Sequence, residues 1–233
     1  MYIYGKNVAR EKINSGQRIN KIFLADKFND MELLNLIKKN KVKYTFVPDK
    51  FLDSKVNGVH QGIVLEVDDV ETVDFDYVKT INKVNPIIVL LDHIEDPHNF
   101  GAIIRTCEAL GVDGIIIPND RGVPVNATVV KTSAGAIYNM PIIRVANLGV
   151  AIKKLKDNGY WIIGTDMEGT KYTKIDYNMP ICLIIGNEGK GMSKVLLNNC
   201  DYVAKIPMIG KINSLNASVS CGIVLSRIVS SKR

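Results

Sequence analysis

One loop of the sequence concentrates groups that could bind a metal. Five carboxylates and imidazoles stand close together in it: Asp92, His93, Glu95, Asp96 and His98. Side chains of these types are common ligands of divalent transition metals. Pro97 and the irregular spacing, however, place them on no common helix face, and no further histidine follows in the chain. We therefore expect no metal here, but a polar loop that leads into a capped helix.

Two polar residues accompany the helix predicted over Ala102–Leu110. Asn99 precedes it and is expected to be its N-cap, because asparagine is favoured at that position. Arg105 lies on a different face from the apolar stripe that includes Ile103 and Ile104. An arginine on a helix is usually a solvated charge. The alternative is a guanidinium beside a site that must hold a phosphate or an oxyanion.

Two further loops follow strand-like segments. Residues 184–191 read Ile-Ile-Gly-Asn-Glu-Gly-Lys-Gly, so glycines can bring main-chain amides and carbonyls against a ligand. Residues 206–218 contain Ser214 and Asn216, which are read most simply as a turn residue and a helix N-cap. Taken separately, each loop is compatible with an ordinary turn.

Several common active-site motifs are absent. The segment Gly164–Lys171 has Thr170 where a phosphate-binding loop needs lysine directly after its second glycine. The chain contains no G-x-G-x-x-G, no G-x-S-x-G and no H-E-x-x-H. These absences argue against a P-loop enzyme, a Rossmann dinucleotide site, a standard serine hydrolase and a zincin.

The elements that must position these loops alternate between strand and helix. Strands are predicted at Ile87–Leu91, Gly114–Ile117, Ile142–Val145, Trp161–Gly164, Ile181–Ile185 and Tyr202–Ile206. The helices expected besides Ala102–Leu110 are Ala127–Ile137, Leu148–Asn158, Met192–Asn199 and Ala217 to about Ser230. Short apolar strands separated by helices predict an α/β fold with a mostly parallel sheet. Ligands of such sheets bind beyond the carboxyl ends of the strands, where the loops described above lie.

The first part of the chain predicts a small α/β module. Its expected elements are helices at Asn7–Asn14 and from Met31 to Lys38, and strands at Ile22–Ala25, Tyr44–Val47 and Gly62–Val67. Residues 1–60 hold 12 Lys and Arg against 6 Asp and Glu, whereas residues 61–80 hold one lysine and six acids. We therefore predict a basic domain over 1–67, an acidic linker over 68–85 and a larger domain over 86–233.

Taken together, the three loops resemble a known family. D-P-x-N-x-G-x-x-x-R, then I-I-G-N-E-G-x-G, then I-P-M followed by S-L-N-x-S, each after a strand, is similar to the SPOUT (SpoU/TrmH) superfamily. Its members are S-adenosylmethionine-dependent RNA ribose 2′-O-methyltransferases. The resemblance covers about residues 86–230, and it implies a C-terminal domain with a deep trefoil knot.

The resemblance also implies roles for single residues. By motif, S-adenosylmethionine would be bound by Thr165, Gly186, Ile206, Met208 and Leu215. Arg105 would help the ribose 2′-oxygen to attack, and we interpret its role as holding phosphate and stabilising the alkoxide, since a guanidinium almost never deprotonates. The remaining catalytic positions would be Asn99, Glu188, Ser214 and Asn216, which would orient Arg105 and the target ribose.

The N-terminal module resembles the substrate-binding domain of one branch of the superfamily, which is similar to a ribosomal protein (L30e-like). That branch methylates a guanosine in the peptidyl-transferase loop of large-subunit (23S) ribosomal RNA, and members of the family are homodimers. The alternatives are a tRNA guanosine as substrate, or a non-catalytic ribosome-assembly protein that binds RNA. The RNA-contact candidates of the module are Lys6, Arg10, Lys12, Arg18 and Lys21.

Composition is compatible with these expectations. The 233-residue chain has a formal net charge of +6, which suits a polyanionic partner without requiring one. Its apolar runs are too short to cross a bilayer, and charged residues appear too early for a signal peptide. The four cysteines form no C-x-x-C pair, which favours reduced thiols and a cytoplasmic protein.

Overall fold

The fold is taken from a computed structural model that describes residues 1–120, 122–211 and 214–232. Two residues of the third motif, at positions 212 and 213, therefore lie outside the described part. In chain order the strands and α-helices are β1 (Tyr2–Tyr4), α1 (Lys6–Asn14), β2 (Lys21–Ala25), α2 (Met31–Lys39), β3 (Tyr44–Val47), α3 (Asp49–Lys55), β4 (Ile63–Glu66), β5 (Ile87–Leu91), α4 (Pro97–Ala109), β6 (Gly114–Pro118), α5 (Ala127–Thr132), β7 (Ile142–Val145), α6 (Leu148–Asp157), β8 (Trp161–Lys171), β9 (Ile181–Ile185), α7 (Lys194–Leu197), β10 (Tyr202–Lys205) and α8 (Ala217–Ser231).

The chain divides into two compact units. The first consists of Met1–Val70 together with Pro124–Asn139, and the second of Glu71–Val123 together with Met140–Arg233. The first unit is thus built from two separate stretches of sequence. Its second stretch falls within the range 86–233 that the charge pattern assigns to the larger domain.

A four-stranded sheet organises the first unit, in the order β1-β4-β2-β3. The strand β4 is antiparallel to both β1 and β2, while β2 and β3 are parallel. Its apolar core includes Phe23, Leu52 and Val64. The predicted helices and strands of this module are present, but β1 and α3 are additional, so the first unit contains more regular structure than its sequence predicts.

The second stretch of the first unit packs by way of α5 and a following 3-10 helix, Ala136–Tyr138. The predicted helix Ala127–Ile137 is wrong as one continuous element. Ala134 and Gly135 have φ of 52° and 87°, and such left-handed backbone ends an α-helix. A Cβ at Gly135 would stand 2.4 Å from Cβ of Glu11, so only glycine allows this turn to approach α1.

A six-stranded parallel sheet organises the second unit, in the order β10-β8-β9-β5-β6-β7. Every neighbouring pair is parallel. The predicted α/β class and parallel sheet are confirmed. Strands β5 and β9 are buried at every residue, which explains why short apolar runs located them well.

The start of α4 differs from the prediction. The helix begins at Pro97 and its N-cap is Asp96, whose carboxylate accepts from the His98 amide at 2.9 Å. Proline is favoured in the first turn because its missing N–H has no helical partner there. The expectation that Asn99 caps this helix is therefore wrong. Asn99 lies inside the first turn and is only 8 % exposed, which frees its side chain for another role.

Strand β8 runs to Lys171, well beyond the predicted Gly164. Its pairing with β10 shifts register, because Val203 pairs with Gly164 whereas the next residue, Ala204, pairs with Thr170. The five residues between Gly164 and Thr170 therefore loop out of the ladder as a bulge. Sequence periodicity did not reveal this, since residues 165–171 are mostly polar.

The stretch expected to be an acidic linker contains ordered structure. A 3-10 helix spans Phe75–Thr80, and its Phe75 and Val78 are buried in the core of the second unit. Asp74 caps it by accepting from the Asp76 amide at 2.9 Å. Within the described ranges, no helix is long and apolar enough to cross a membrane.

Candidate functional site

The motif loops follow four strands that are neighbours in the sheet. In the order β10-β8-β9-β5 the strands are parallel, so their carboxyl ends lie at one edge. The loop after β5 leads into α4, and the loop after β9 contains the glycines. The bulge of β8 and the segment after β10 complete the group. Motifs more than 100 residues apart in sequence thus meet at the edge where ligands of parallel sheets bind.

A chain of side-chain amides joins three of these segments. Asn216 donates through Nδ2 to Oδ1 of Asn99 at 2.8 Å, and Asn99 donates through its own Nδ2 to Oε1 of Glu188 at 2.9 Å. The Oδ1 of Asn216 in turn accepts from the backbone amide and hydroxyl of Ser218, so Asn216 caps α8 as expected. Three of the five predicted catalytic residues therefore form one hydrogen-bonded unit.

The packing of α8 on α4 makes this series of hydrogen bonds possible. A Cβ on Gly222 would stand 3.7 Å from Cγ2 of Thr106, which shows how closely the two helices approach. Cys107 and Cys221 are both fully buried at the same contact. Gly222 accordingly serves packing within the chain.

Two residues outside the predicted catalytic and cofactor-binding sets support the glycine loop. Asn187 donates through Nδ2 to the carbonyl of His93 at 2.8 Å, and its Oδ1 accepts from the amides of Gly189 and Lys190. Asp92, only 2 % exposed, accepts from the Ser193 amide at 2.7 Å. These contacts tie the two ends of the loop to the end of β5, so its backbone is held in place.

His93 completes this support. Its Nδ1 lies 2.6 Å from Oδ1 of Asp92, and its backbone has a φ of 58°. Non-glycine residues adopt that conformation seldom, and histidine is among those that tolerate it. The sequence signal for these two residues is their position at the end of a buried strand: Asp92 directly follows β5, and Asn187 is the second residue after β9. That signal is common to many loops and does not identify a role.

A cavity of about 400 Å³ opens at this edge of the sheet. Its lining includes all five residues expected to bind the cofactor, namely Thr165, Gly186, Ile206, Met208 and Leu215. Glu188 and Ser214, from the expected catalytic set, line it as well. Thr165 is held by a hydrogen bond from its hydroxyl to the Ile184 carbonyl at 3.1 Å. The cavity has the size, apolar walls and polar backbone groups of a small-molecule site.

Gly186 leaves no room for a side chain. A Cβ there would stand 2.5 Å from the carbonyl carbon of Gly191 and 2.5 Å from the amide nitrogen of Met192. Both atoms are backbone, so they cannot turn aside as a flexible side chain could. Gly189 differs, because a Cβ there would meet nothing nearer than Oδ1 of Asn187 at 3.7 Å.

Arg105 stands apart from the cavity wall. Its side chain is exposed on α4, and no hydrogen bond or ion pair ties it to the rest of the described chain. An exposed guanidinium is available to an incoming phosphate, since its planar fork of donors matches phosphate oxygens.

The basic candidates of the first unit are not equivalent. Lys6 and Arg10 share one carboxylate, Asp30, at 3.2 and 3.0 Å. Hydrogen bonding from the Leu33 amide, aided by these two cations, lowers the pKa of Asp30. Lys12 is only 4 % exposed, with its ammonium 4.0 Å from the centre of the Tyr138 ring. A phosphate contact by Lys12 is therefore disfavoured, whereas Arg18 and Lys21 are exposed.

Burial makes three of the four cysteines poor candidates for reactive thiols. The four cysteines are free, and burial raises the pKa of the Cys107 and Cys182 thiols and brings that of Cys200 to about 11. Such thiols remain protonated and unreactive at neutral pH. Among the residues that the structure describes, no group of three or more histidines, cysteines and carboxylates could hold a metal ion.

Comparison with known proteins identifies the family. Residues 86–226 match the SpoU rRNA methylase family, and residues 2–73 match the RNA 2′-O ribose methyltransferase substrate-binding family. The chain belongs to the SpoU family of RNA methyltransferases. The predicted family and enzyme class are confirmed, and the non-catalytic alternative loses its support.

Two relatives named for a related methyltransferase family align with nearly the full length of this SpoU protein. A protein of Staphylococcus saprophyticus named for the TrmH family of tRNA/rRNA methyltransferases is 42 % identical, over 97 % of this chain and 94 % of the relative. A similarly named protein of Bacillus subtilis is 39 % identical over the same shares. Both names include tRNA and rRNA, so they leave the choice between these substrates open.

Solved structures show the same SpoU fold. The SpoU methyltransferase AviRb of Streptomyces viridochromogenes, in complex with AdoMet, has a TM-score of 0.82 at 22 % identity, over 99 % of this chain and 89 % of that one. An AdoMet-bound rRNA methyltransferase of Sinorhizobium meliloti has a TM-score of 0.79 at 25 % identity, over 97 % and 85 % of the two chains. The shared architecture includes both units.

Proposed function

We propose that this SpoU enzyme transfers a methyl group from S-adenosylmethionine to the ribose 2′-hydroxyl of a guanosine in the peptidyl-transferase loop of large-subunit (23S) ribosomal RNA. The observation that carries the proposal is the cavity at the sheet edge, whose wall includes the five cofactor residues and Glu188. Glu188 connects this cavity to Asn99 and Asn216, so the binding pocket and the polar network form one site.

The residues of the cavity suit S-adenosylmethionine. Ile206, Met208 and Leu215 offer apolar surface for the adenine ring, and the backbone of the glycine loop offers hydrogen-bonding groups for its edge. Gly186 permits the tight backbone crossing that closes this wall. When bound, S-adenosylmethionine supplies an electrophilic methyl group on a sulfonium.

The chain's own residues then orient the attacking oxygen. An alcohol is a weak nucleophile at neutral pH, so the ribose must be held in line with the methyl group and its oxygen stabilised as the proton leaves. Arg105 is free to hold the adjoining phosphate and stabilise the developing alkoxide. Asn99 fixes the carboxylate of Glu188 at the cavity, and Ser214 lies on the same wall.

The choice of ribosomal RNA rests on the first unit. A substrate-binding unit with an excess of basic residues precedes the catalytic unit, and it suits a large folded RNA. A tRNA guanosine is the competing substrate, and mapping the methylated nucleotide distinguishes the two.

The finer architecture is also part of this proposal. We expect the chain after β10 to form the trefoil knot of the superfamily, and the first unit to share the L30e-like fold. We further expect a homodimer. Family membership supports these expectations, and the exposure of Val219 on α8 and of Ile209 before it provides apolar surface for a second copy.

The experiment is methyl transfer from tritiated S-adenosylmethionine to unmodified large-subunit RNA and, in parallel, to unmodified tRNA. Labelling of the ribosomal RNA at one ribose, located by primer-extension stops or mass spectrometry, supports the proposal. Labelling of tRNA alone would show that the substrate is tRNA and not ribosomal RNA. Failure to label either RNA, together with no binding of S-adenosylmethionine by calorimetry, rejects it.

A further inference from the structure

A run of uncompensated cations stands at the end of α2. Residues 38–43 read Lys-Lys-Asn-Lys-Val-Lys, so four of six consecutive residues are lysines: Lys38, Lys39, Lys41 and Lys43. All four are exposed, and within the described part of the chain none has an ion-pair partner. Like charges so close together repel one another, and an anionic ligand would relieve that repulsion.

A groove of about 660 Å³ adjoins this run, within the first unit. It lies between two turns, Gly16–Asn20 after α1 and Asn40–Lys43 after α2. Lys41 and Lys43 provide two of its cations, and Arg18 provides a third, which lies 4.0 Å from the Asp68 carboxylate. Ile13, Ile19 and Val42 provide its apolar surface. A cationic and apolar lining of this kind is complementary to a nucleotide, whose phosphate is anionic and whose base has an apolar face.

Hydrogen-bonding groups complete the lining. Gln17, Asn20 and Asn40 contribute amides, and Glu66 and Asp68 contribute carboxylates that can accept from base amino groups. Asn20 donates to Asp68 at 2.9 Å, whereas its own Oδ1 is buried without a partner among the described residues. The amides and carboxylates of the lining therefore offer a base both donors and acceptors.

The backbone of Lys41 is left-handed where α2 ends. Its φ is 55°, in the left-handed region that glycine adopts without strain and that long side chains avoid. The equivalent turn after α1 does have glycine, Gly16 with φ of 68°. This conformation ends α2, because the amides of Lys41 and Val42 donate to the carbonyls of Lys38 and Ile37, and it holds the lysine at the rim of the groove.

We propose that this groove is an RNA-binding subsite of the first unit, and that Lys41 and Lys43 bind the phosphate of a nucleotide whose base enters the groove. The inference rests on the proposed function, because it takes the ligand to be the RNA substrate. It assigns the contact to the turns after α1 and α2. Lys6 and Arg10, whose charge is shared with Asp30, contribute less to affinity.

The first test compares two charge-matched variants of the full chain. Lys41→Ala/Lys43→Ala removes two cations of the groove, and Lys27→Ala/Lys50→Ala removes two exposed cations elsewhere in the same unit. Binding of an unmodified fragment of large-subunit RNA is followed by fluorescence anisotropy over a range of KCl concentrations. The groove variant should bind about tenfold more weakly, and its log–log salt slope should fall by about 1.5 to 2. The control should remain close to wild type, and equal losses in both variants would overturn the proposal.

The second test uses the strained backbone. Lys41→Gly should raise the melting temperature, because it relieves the left-handed conformation, and should also weaken RNA binding several-fold. Unchanged affinity with a raised melting temperature would show that this lysine does not serve RNA. Cofactor binding, measured by calorimetry, should be the same in all variants. A wild type that binds RNA through the groove but methylates none would reject the proposed function and leave the subsite standing.

Discussion

Asn216 donates to Asn99 at 2.8 Å across 117 residues of sequence, and this contact fixes which way the Asn99 amide faces. With its oxygen occupied by Asn216, Asn99 must present its NH₂ group to Glu188, which it does at 2.9 Å. The cap of the last helix therefore helps to position a carboxylate that lines the cavity. Because Asn99 is 8 % exposed, water competes little for these bonds.

The exchange Asn99→Asp tests this relay with almost no change of shape. The variant keeps an acceptor for Asn216 but loses the donor to Glu188, and it places two carboxylates side by side. We expect methyl transfer at neutral pH to fall by about 100-fold or more. Part of the activity should return at lower pH, because like charges raise the pKa of one carboxyl and its protonation restores a donor.

Asn199→Asp is the matched control for this exchange. Asn199 is exposed and donates to the Val195 carbonyl at 2.7 Å, away from the motif loops. Its rate should match wild type over the same pH range in the tritium assay. A wild-type pH profile for Asn99→Asp would contradict the relay.

Gly186→Ala should weaken cofactor binding. Its Cβ would overlap the backbone of Gly191 and Met192, so the wall of the cavity would have to shift. We expect the dissociation constant for S-adenosylmethionine, measured by calorimetry, to rise at least about tenfold, with destabilisation of about 1 to 3 kcal/mol. Gly189→Ala, in the same loop, has space for its methyl group and should leave the free energy of unfolding nearly unchanged. Equal behaviour of the two variants would contradict this explanation.

Arg105→Ala should separate folding from catalysis. The side chain is exposed and makes no bond within the described chain, so stability should change by no more than about 0.5 kcal/mol. Arg105 does not line the cavity, so affinity for S-adenosylmethionine should also be retained. The rate of methyl transfer should fall about 100- to 1,000-fold. Arg105→Lys should remain impaired, because an ammonium lacks the bidentate fork. Full activity in the alanine variant would remove Arg105 from the mechanism.

Lys12 should make stability depend on pH above neutrality. Burial lowers the pKa of its ammonium from 10.5 to about 8. Between pH 8 and 10.5 the unfolded chain binds more protons at this position than the folded one, so stability rises with pH there. Below pH 8 both states are protonated, and the cost of burying the charge is fully present.

The measurement is the difference in free energy of unfolding between wild type and Lys12→Met, from urea titrations at several pH values. Wild type should gain on the order of 2 kcal/mol relative to the variant as the pH rises through this window. The comparison of wild type with Lys27→Met, at an exposed position, should be flat with pH. If the difference between wild type and Lys12→Met were also independent of pH, the pKa of Lys12 would not differ between the folded and unfolded states.

Local pattern predicted most of the strands in the second unit. The buried runs Ile87–Leu91 and Ile181–Ile185 match the structure residue for residue, because a strand buried on both faces is apolar throughout. Ile142–Val145 also matches, although it contains the partly exposed Arg144. Polar elements were harder to predict. Helix α3 and the end of β8 lack clear periodicity, and pairing with distant strands, rather than their own composition, gives β8 its length.

The site shows a different limit of sequence reasoning. Residue types and spacing left each loop compatible with an ordinary turn, and only the resemblance grouped them. The bond between Asn99 and Asn216 depends on how α4 packs on α8, which no local rule contains. The prediction that Asn99 caps its helix is wrong for a local reason, because Asp96 followed by Pro97 forms the cap. The Asn99 side chain is thereby left for its bonds to Glu188 and Asn216.

The two-segment construction of the first unit has a consequence for protein engineering and for evolution. Residues 124–139 belong to that unit although they are encoded between two strands of the catalytic sheet. A chimera that exchanges residues 1–70 for those of a relative would pair a foreign core with the native Gly135 turn, whose approach to Glu11 leaves no space for error. The first unit therefore cannot be exchanged by replacing residues 1–70 alone. Changes in RNA preference must arise by point substitution on its surface or by joint replacement of both segments.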